Sequence, residues 1–435
     1  MTPIEIGIGT VAVLMVLIYS GLHIAVVLIG TSFVAVWLLR GDPTLSFVLL
    51  RLSASEAIKG YVFGVVPLFV LMGLLVSISG VGQDAFFVAD RALRRVKGGL
   101  GVATVGANAI FAAVTGVSIA SLVVFAKVAV PEMLKFGYTV RFATGVVAGS
   151  SVLGMLIPPS LLLIVYGVLT DVSIGDLFLA GILPGLVLSL AYAAAIVWAA
   201  VFRPHWVGDL SERPPAPATR RFEATRRLAP ILLLILSVMG GIYGGFFTPT
   251  EAGAVGAAVA LVIALARRSL DRSRFWRIVV ETGHVTASIS AIIIGASMYS
   301  RMLAMTGIPN GISEILSGTG LGMWGALLIY LVILLVLGTI LDSISIMLIM
   351  VPLALPVMQG FGVDLVWFGI LTTIAVEIGI LTPPLGLAVF VLKGALDDPS
   401  VRLGDIFIGA APFALIMLGV LGLILAFPWI ATGLL

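Results

Sequence analysis

Gly154-Met155-Leu156-Ile157-Pro158-Pro159 recurs as Gly379-Ile380-Leu381-Thr382-Pro383-Pro384, a shift of 225 residues from 158 to 383. The same shift carries Ser118 to Ser343, Ile119 to Ile344, Pro131 to Pro356, Met133 to Met358 and Gly137 to Gly362. Proline removes a backbone donor and bars the α conformation from the residue before it, so each Pro-Pro pair interrupts an apolar helix. Two diverged halves, each with a broken helix inside an apolar stretch, point to a transporter's binding site.

Composition fixes the compartment. With 60% hydrophobic and 10% charged residues and a mean hydropathy of +1.23, the chain has too little polar surface for a water-soluble fold. Apolar runs long enough to span a bilayer, about 20 residues each, recur roughly over 4–20, 22–39, 61–79, 99–135, 139–170, 175–202, 228–245, 250–266, 278–303, 322–358, 364–395 and 404–433. The fold class is an all-α polytopic membrane protein. A net charge of +3 does not suggest a nucleic-acid partner, and the absence of Cys excludes disulfides, thiolate metal sites and Cys nucleophiles. No basic region precedes the first apolar run, which argues against a cleaved signal peptide.

The one composition break is rich in Pro and Arg, and it divides the chain into a first repeat at 1–202, a cytoplasmic linker at 203–227 and a second repeat at 228–435. Arg91, Arg94, Arg95 and Lys97 crowd one connection, whereas its counterpart at 315–322 has no basic residue. Conversely, Arg267, Arg268, Arg272, Arg274 and Arg277 crowd a connection whose counterpart around 40–51 is sparser. Equivalent loops then lie on opposite sides of the membrane, which makes the halves an inverted-topology repeat. Both termini are placed outside and the central loop inside.

The stretches 100–135 and 323–358 are too long for single spans. Thr115-Gly116-Val117-Ser118 interrupts the first and Gly338-Thr339-Ile340-Leu341-Asp342-Ser343 the second. Each reads as a re-entrant helical hairpin with its tip near mid-membrane. Unwound turns expose carbonyls that suit a hard cation, and Thr115, Ser118, Ser160, Ser343 and Thr382 add hydroxyl oxygens. Candidate ion- or substrate-binding residues are therefore Thr115, Gly116, Ser118, Gly338, Thr339, Asp342 and Ser343 at the tips. At the breaks they are Gly154, Ile157, Pro158, Pro159, Ser160, Glu377, Gly379, Thr382, Pro383 and Pro384. These oxygen donors suit Na⁺ or another hard ion rather than a transition metal, and no other cofactor is expected.

Phe111-Ala112-Ala113-Val114-Thr115-Gly116, Pro131-Glu132-Met133, Gly137-Tyr138 and Leu156-Ile157-Pro158-Pro159-Ser160 together resemble the large membrane subunit of tripartite ATP-independent periplasmic (TRAP) transporters. Ser173-Ile174-Gly175-Asp176-Leu177-Phe178, the run 241–252, Leu341-Asp342-Ser343 and the run 377–384 extend that resemblance over essentially the whole chain. It implies Na⁺-coupled uptake of a small organic anion of the carboxylate or sugar-acid class. It also implies a periplasmic substrate-binding protein, a small four-helix membrane subunit, an elevator movement of the hairpins and broken helices, and the bacterial or archaeal inner membrane. Val117 and Ala388 depart from the family pattern, which usually has a small hydroxyl residue and an Asn there.

Intramembrane charges have competing readings. Asp342 is either cation-linked or an N-cap of the second hairpin arm. Glu377 either contacts an ion or stabilises the scaffold. Arg301 could attract an anion but is read as snorkelling, Lys127 and Glu132 as an interfacial pair or solvated, and Asp176 and Asp405 as helix caps. No enzyme is expected: His23, His205 and His284 have no metal-ligand spacing, Ser160 lacks a His base, and no Walker-type phosphate loop is present. The rival readings are a stand-alone anion symporter of the divalent-anion/citrate type, and an ion channel.

Overall fold

The computed structural model describes residues 2–59, 64–208, 221–309, 311, 312, 314 and 322–435. They form helices throughout, with no strand among the described residues, and seven helices are long and apolar enough to cross a bilayer. The first half contains α1 (Pro3–Tyr19), α2 (Ile24–Arg40), α3 (Pro43–Lys59), α4 (Val65–Ile78), α5 (Val81–Leu93), α6 (Gly99–Thr115), α7 (Ser118–Lys135), α8 (Val140–Ser151), α9 (Leu153–Leu156), α10 (Leu161–Thr170) and α11 (Ile174–Phe202). A short α12 (Pro204–Val207) follows. Then come α13 (Arg221–Ile235), which runs through a π turn into α14 (Gly241–Tyr243), α15 (Pro249–Ala266) and α16 (Arg272–Thr306). The last elements are α17 (Gly322–Gly338), α18 (Ser343–Gly360), α19 (Leu365–Gly379), α20 (Leu387–Leu396), α21 (Leu403–Ala426) and α22 (Trp429–Thr432).

Both expected hairpins are present. In the first, α6 stops where Gly116 turns left-handed (φ +67°), and α7 restarts at Ser118. In the second, α17 ends at Gly338 and α18 restarts at Ser343, so this tip is two residues longer. Both broken helices are present as well. Ile157 is extended (φ −76°, ψ 124°), as a residue before proline must be, and the helix resumes at Leu161. The second break separates α19 from α20, and the Pro158–Pro159 and Pro383–Pro384 bonds are both cis.

Packing exchanges partners between the halves. The half-helix after the first break, α10, lies against α18 of the second hairpin, while α20 lies against α7 of the first. Helix α8 crosses α21 so closely that a Cβ at Gly145 would stand 2.1 Å from the Gly409 carbonyl oxygen. Around this centre, α2 packs on α1 and α16, and α4 on α15 and α16.

The structure corrects three segment readings. The connection around 40–51 is largely helix α3, not loop. The basic cluster at 91–97 begins on α5, whose axis bends 63° from that of α4 after left-handed Gly80. Asp84 of α5 is buried between Arg227 (3.3 Å) and Arg267 (2.6 Å), so α5 is fastened to α13 and α15. The linker also ends earlier than 227, because α13 starts at Arg221. Residues 209–220 of the linker and 315–321 of the second connection lie outside the described residues.

Candidate functional site

Each hairpin tip is bonded to the broken helix of its own half. The Leu161 N–H, just past the first break, donates to the Gly116 carbonyl at 3.0 Å. The Gly386 N–H, 225 residues later, donates to the Thr339 carbonyl, also at 3.0 Å. The glycines make this approach possible. A Cβ at Gly116 would stand 2.4 Å from the Pro159 oxygen, and one at Gly154 3.0 Å from the Ser118 backbone. In the second half, a Cβ at Gly338 would stand 2.6 Å from the Gly379 Cα. These contacts are backbone on backbone, so no side chain can move aside to relieve them.

Hydroxyls complete both breaks. Ser160 donates to the Met155 carbonyl and accepts from the Leu163 N–H at 3.3 Å, which caps α10. Thr382 donates to the Ile378 carbonyl at 2.7 Å, and the Ala388 N–H spans the break to the Ile380 carbonyl at 3.2 Å. Thr115 and Thr339 each bond back to their own helix, at Phe111 and Val336, both at 2.8 Å. Pro158, Pro159, Pro383 and Pro384 form the non-helical turns, with Ile157 and Thr382 immediately before them and Gly379 ending α19.

Glu377 is fully buried on the last turns of α19. Its Oε1 accepts from the Ser343 hydroxyl at 2.7 Å, and the Ser118 hydroxyl of the other hairpin lies against the same carboxyl. Among the described residues its Oε2 has no hydrogen-bond partner. The buried Tyr192 hydroxyl of α11, likewise unpartnered, is within electrostatic range of it. The two serines related by the 225-residue shift thus converge on one carboxyl that has no counterpart in the first half, where Val152 occupies the equivalent position (377 less 225).

Asp342 is an N-cap: its Oδ1 accepts from the Ser345 N–H at 3.1 Å, and the Ser345 hydroxyl bonds its other oxygen. Val117, in the equivalent place on α7, makes no side-chain cap. Asp176 and Asp405 do not cap their helices. Ser173 caps α11 by accepting from the Asp176 N–H, whereas Asp405 pairs with Arg141 of α8 at 2.7 Å. Arg301 pairs with Glu56 of α3 at the wall of a cavity of about 810 Å³. Sequence reasoning missed Asn108, whose amide donates to the Ser150 hydroxyl at 2.7 Å beneath the first tip, and it missed Tyr192. An Asn in the apolar run of α6 was a visible signal; nothing local marked Tyr192.

The family model described as "Tripartite ATP-independent periplasmic transporter, DctM component" matches residues 11–430. The C4-dicarboxylate TRAP transporter large permease protein DctM of Pseudomonas aeruginosa is 32% identical over 386 residues, 88% of each chain. The isethionate TRAP transporter permease protein DctMQ of Oleidesulfovibrio alaskensis is 30% identical over 96% of this chain, which spans 64% of that longer protein. Among solved structures, the YdaH transporter of Alcanivorax borkumensis superposes with a TM-score of 0.64 over 89% of this chain and 90% of its own, at 14% identity, a likeness of fold alone. This chain, a multi-pass membrane protein and not an enzyme, therefore belongs to the family of TRAP transporter large permease subunits.

Proposed function

We propose that the chain takes up a small organic anion by Na⁺ symport, acting with a periplasmic substrate-binding protein and a small membrane subunit in the inner membrane. The observation that carries this reading is the double junction of hairpin tip and Pro-Pro break, made by the same type of hydrogen bond in both halves. Unwound turns of this kind offer carbonyl oxygens to a hard cation where the backbone is covered by protein. Residues 1–202 and 228–435 act as inverted repeats, with both termini outside. The hairpins and broken helices move together, elevator-fashion, against α1–α4 and α13–α16. One relative is named for a C4-dicarboxylate and another for isethionate, both small organic anions, so the family relationship supports the class of substrate and not its identity. A relative named DctMQ that is longer than this chain supports the small-subunit partner.

The experiment is uptake into proteoliposomes holding the chain and its small subunit, with the binding protein outside. Radiolabelled succinate and isethionate serve as first probes, and ligand screening of the binding protein selects further ones. Accumulation is expected only with an inward Na⁺ gradient and both partners. Accumulation by the chain alone would instead establish the stand-alone symporter.

A further inference from the structure

We infer that Arg301 receives the anionic head group of the substrate in the cavity at the seam between the moving and stationary helices, and that Glu56 holds its place until the anion arrives. The inference rests on the organic-anion uptake reading and adds to it an entry site apart from the hairpin tips and breaks. The cavity, of about 810 Å³, is of the size that takes a small organic molecule. On its stationary wall stand Glu56 of α3 and Ser300 and Arg301 of α16; on its moving wall stand Gly167 of α10 and Pro352 of α18. None of the tip and break residues named above lines it. Helix α16 begins with Arg272, Arg274 and Arg277 and continues to Thr306. Arg301 lies 27 residues beyond Arg274 (301 less 274), about 40 Å along the axis at about 1.5 Å per residue. That exceeds the roughly 30 Å of hydrocarbon in a bilayer, so Arg301 sits at the interface opposite the basic cluster. Connections dense in Arg face the cytoplasm, which puts the cavity toward the side from which a binding protein delivers its cargo.

Arg301 is the only cationic side chain on the cavity wall among the described residues, and its present partner is loosely held. The Arg301 side chain is 35% exposed and that of Glu56 58%, so water screens the pair and it adds little to stability. A guanidinium offers a planar fork of donors to two oxygens of a carboxylate or sulfonate, and an arriving head group can take the place of Glu56 on that fork. The exchange costs little, because one oxyanion replaces another on the same donors. The first turns of α11 and α15 reach the same cavity and add the positive ends of two helix dipoles. Asp171, at the end of α10, stands on the moving wall and opposes an anion there. An anion drawn in by Arg301 is therefore bound loosely, as a place of passage requires.

The chain has no Cys, so Ser300→Cys sets a single thiol beside Arg301. The test uses the purified complex of this S300C chain with its small subunit in lipid nanodiscs, without Na⁺ or binding protein, so the site is read independently of transport. Modification of the thiol by a sulfonate-bearing and by a trimethylammonium-bearing thiosulfonate is followed on this chain by mass spectrometry. Adding R301Q should lower the ratio of the two rates by about tenfold, and adding E56Q should raise it. Succinate and isethionate, with chloride replacing them at constant ionic strength, should each slow modification in S300C. Protection should vanish with R301Q and should need several-fold less anion with E56Q, because the competing carboxylate is gone. If R301Q does not fold, R301K, which keeps the charge and loses the fork, should raise the half-protecting concentration several-fold. Absence of protection by either anion in S300C would overturn the inference. So would protection that survives R301Q, or is unchanged in R301K where that variant is used, and so would weaker protection in E56Q, the result expected of a purely structural ion pair. Failure of the wild-type complex to accumulate any anion bound by its binding protein would instead overturn the uptake reading from which the inference starts.

Discussion

The two halves of the molecule agree in backbone and differ in charge. Both hairpins restart at a serine, both broken helices carry Gly before Pro-Pro, and both tips are tied to their break by a 3.0 Å backbone hydrogen bond. In the second half, Asp342 caps the hairpin arm and Glu377 stands beneath the tip; in the first, Val117 and Val152 take those places. The comparison separates two requirements. Close backbone approach constrains both halves alike, because carbonyls bring their own dipoles and need only the right turn. A balancing charge is needed once, so one half can carry it and the other can remain apolar.

The largest effect should come from disturbing the shared backbone device. Gly338→Ala places a Cβ against the Gly379 backbone, which cannot yield, and should destabilise the protein by about 2 kcal/mol or more and abolish uptake. Gly419→Ala, where nothing lies within 4 Å, is the control and should leave thermal stability and uptake unchanged. If both variants behave alike, close approach at the tip is not what the halves share.

A smaller effect should follow from evening out the caps. Asp342→Ala removes a capping carboxylate and should lower stability by about 1 kcal/mol, while Val117→Ser should add a cap to α7 and raise it by up to about 1 kcal/mol. Opposite signs in a denaturation series would sharpen the contrast between the hairpins; equal signs would break it. The smallest effect belongs to Arg141→Gln. It removes a largely exposed ion pair with Asp405, and its cost should stay under about 1 kcal/mol and fall with added salt.

Much of this architecture was legible in the sequence because Gly and Pro act locally. The 225-residue shift located both tips and both breaks, and the extended Ile157 follows directly from the proline after it. What stayed hidden depended on distant contacts. Nothing near Glu377 in the chain announces that Ser118, in the opposite half, lies against it, nor that Tyr192 of α11 is within its field. Helix α3 was misread as loop because its charges and short apolar runs do not make a full-length span, and α5 because its basic end looked like a connection. Asp176 and Asp405 misled by sharing a local context: the cap at one belongs to Ser173, and the other reaches across to Arg141.

The claim that the paired breaks are the working site is tested most directly by replacing Pro158 and Pro159 with alanines. Both donors return and the bar on helix before them is lifted, so α9 and α10 can join into a continuous helix. Na⁺-driven uptake should then disappear from proteoliposomes in which the variant remains inserted and bound to the small subunit. Uptake at the wild-type rate, with the same dependence on Na⁺, would contradict the account.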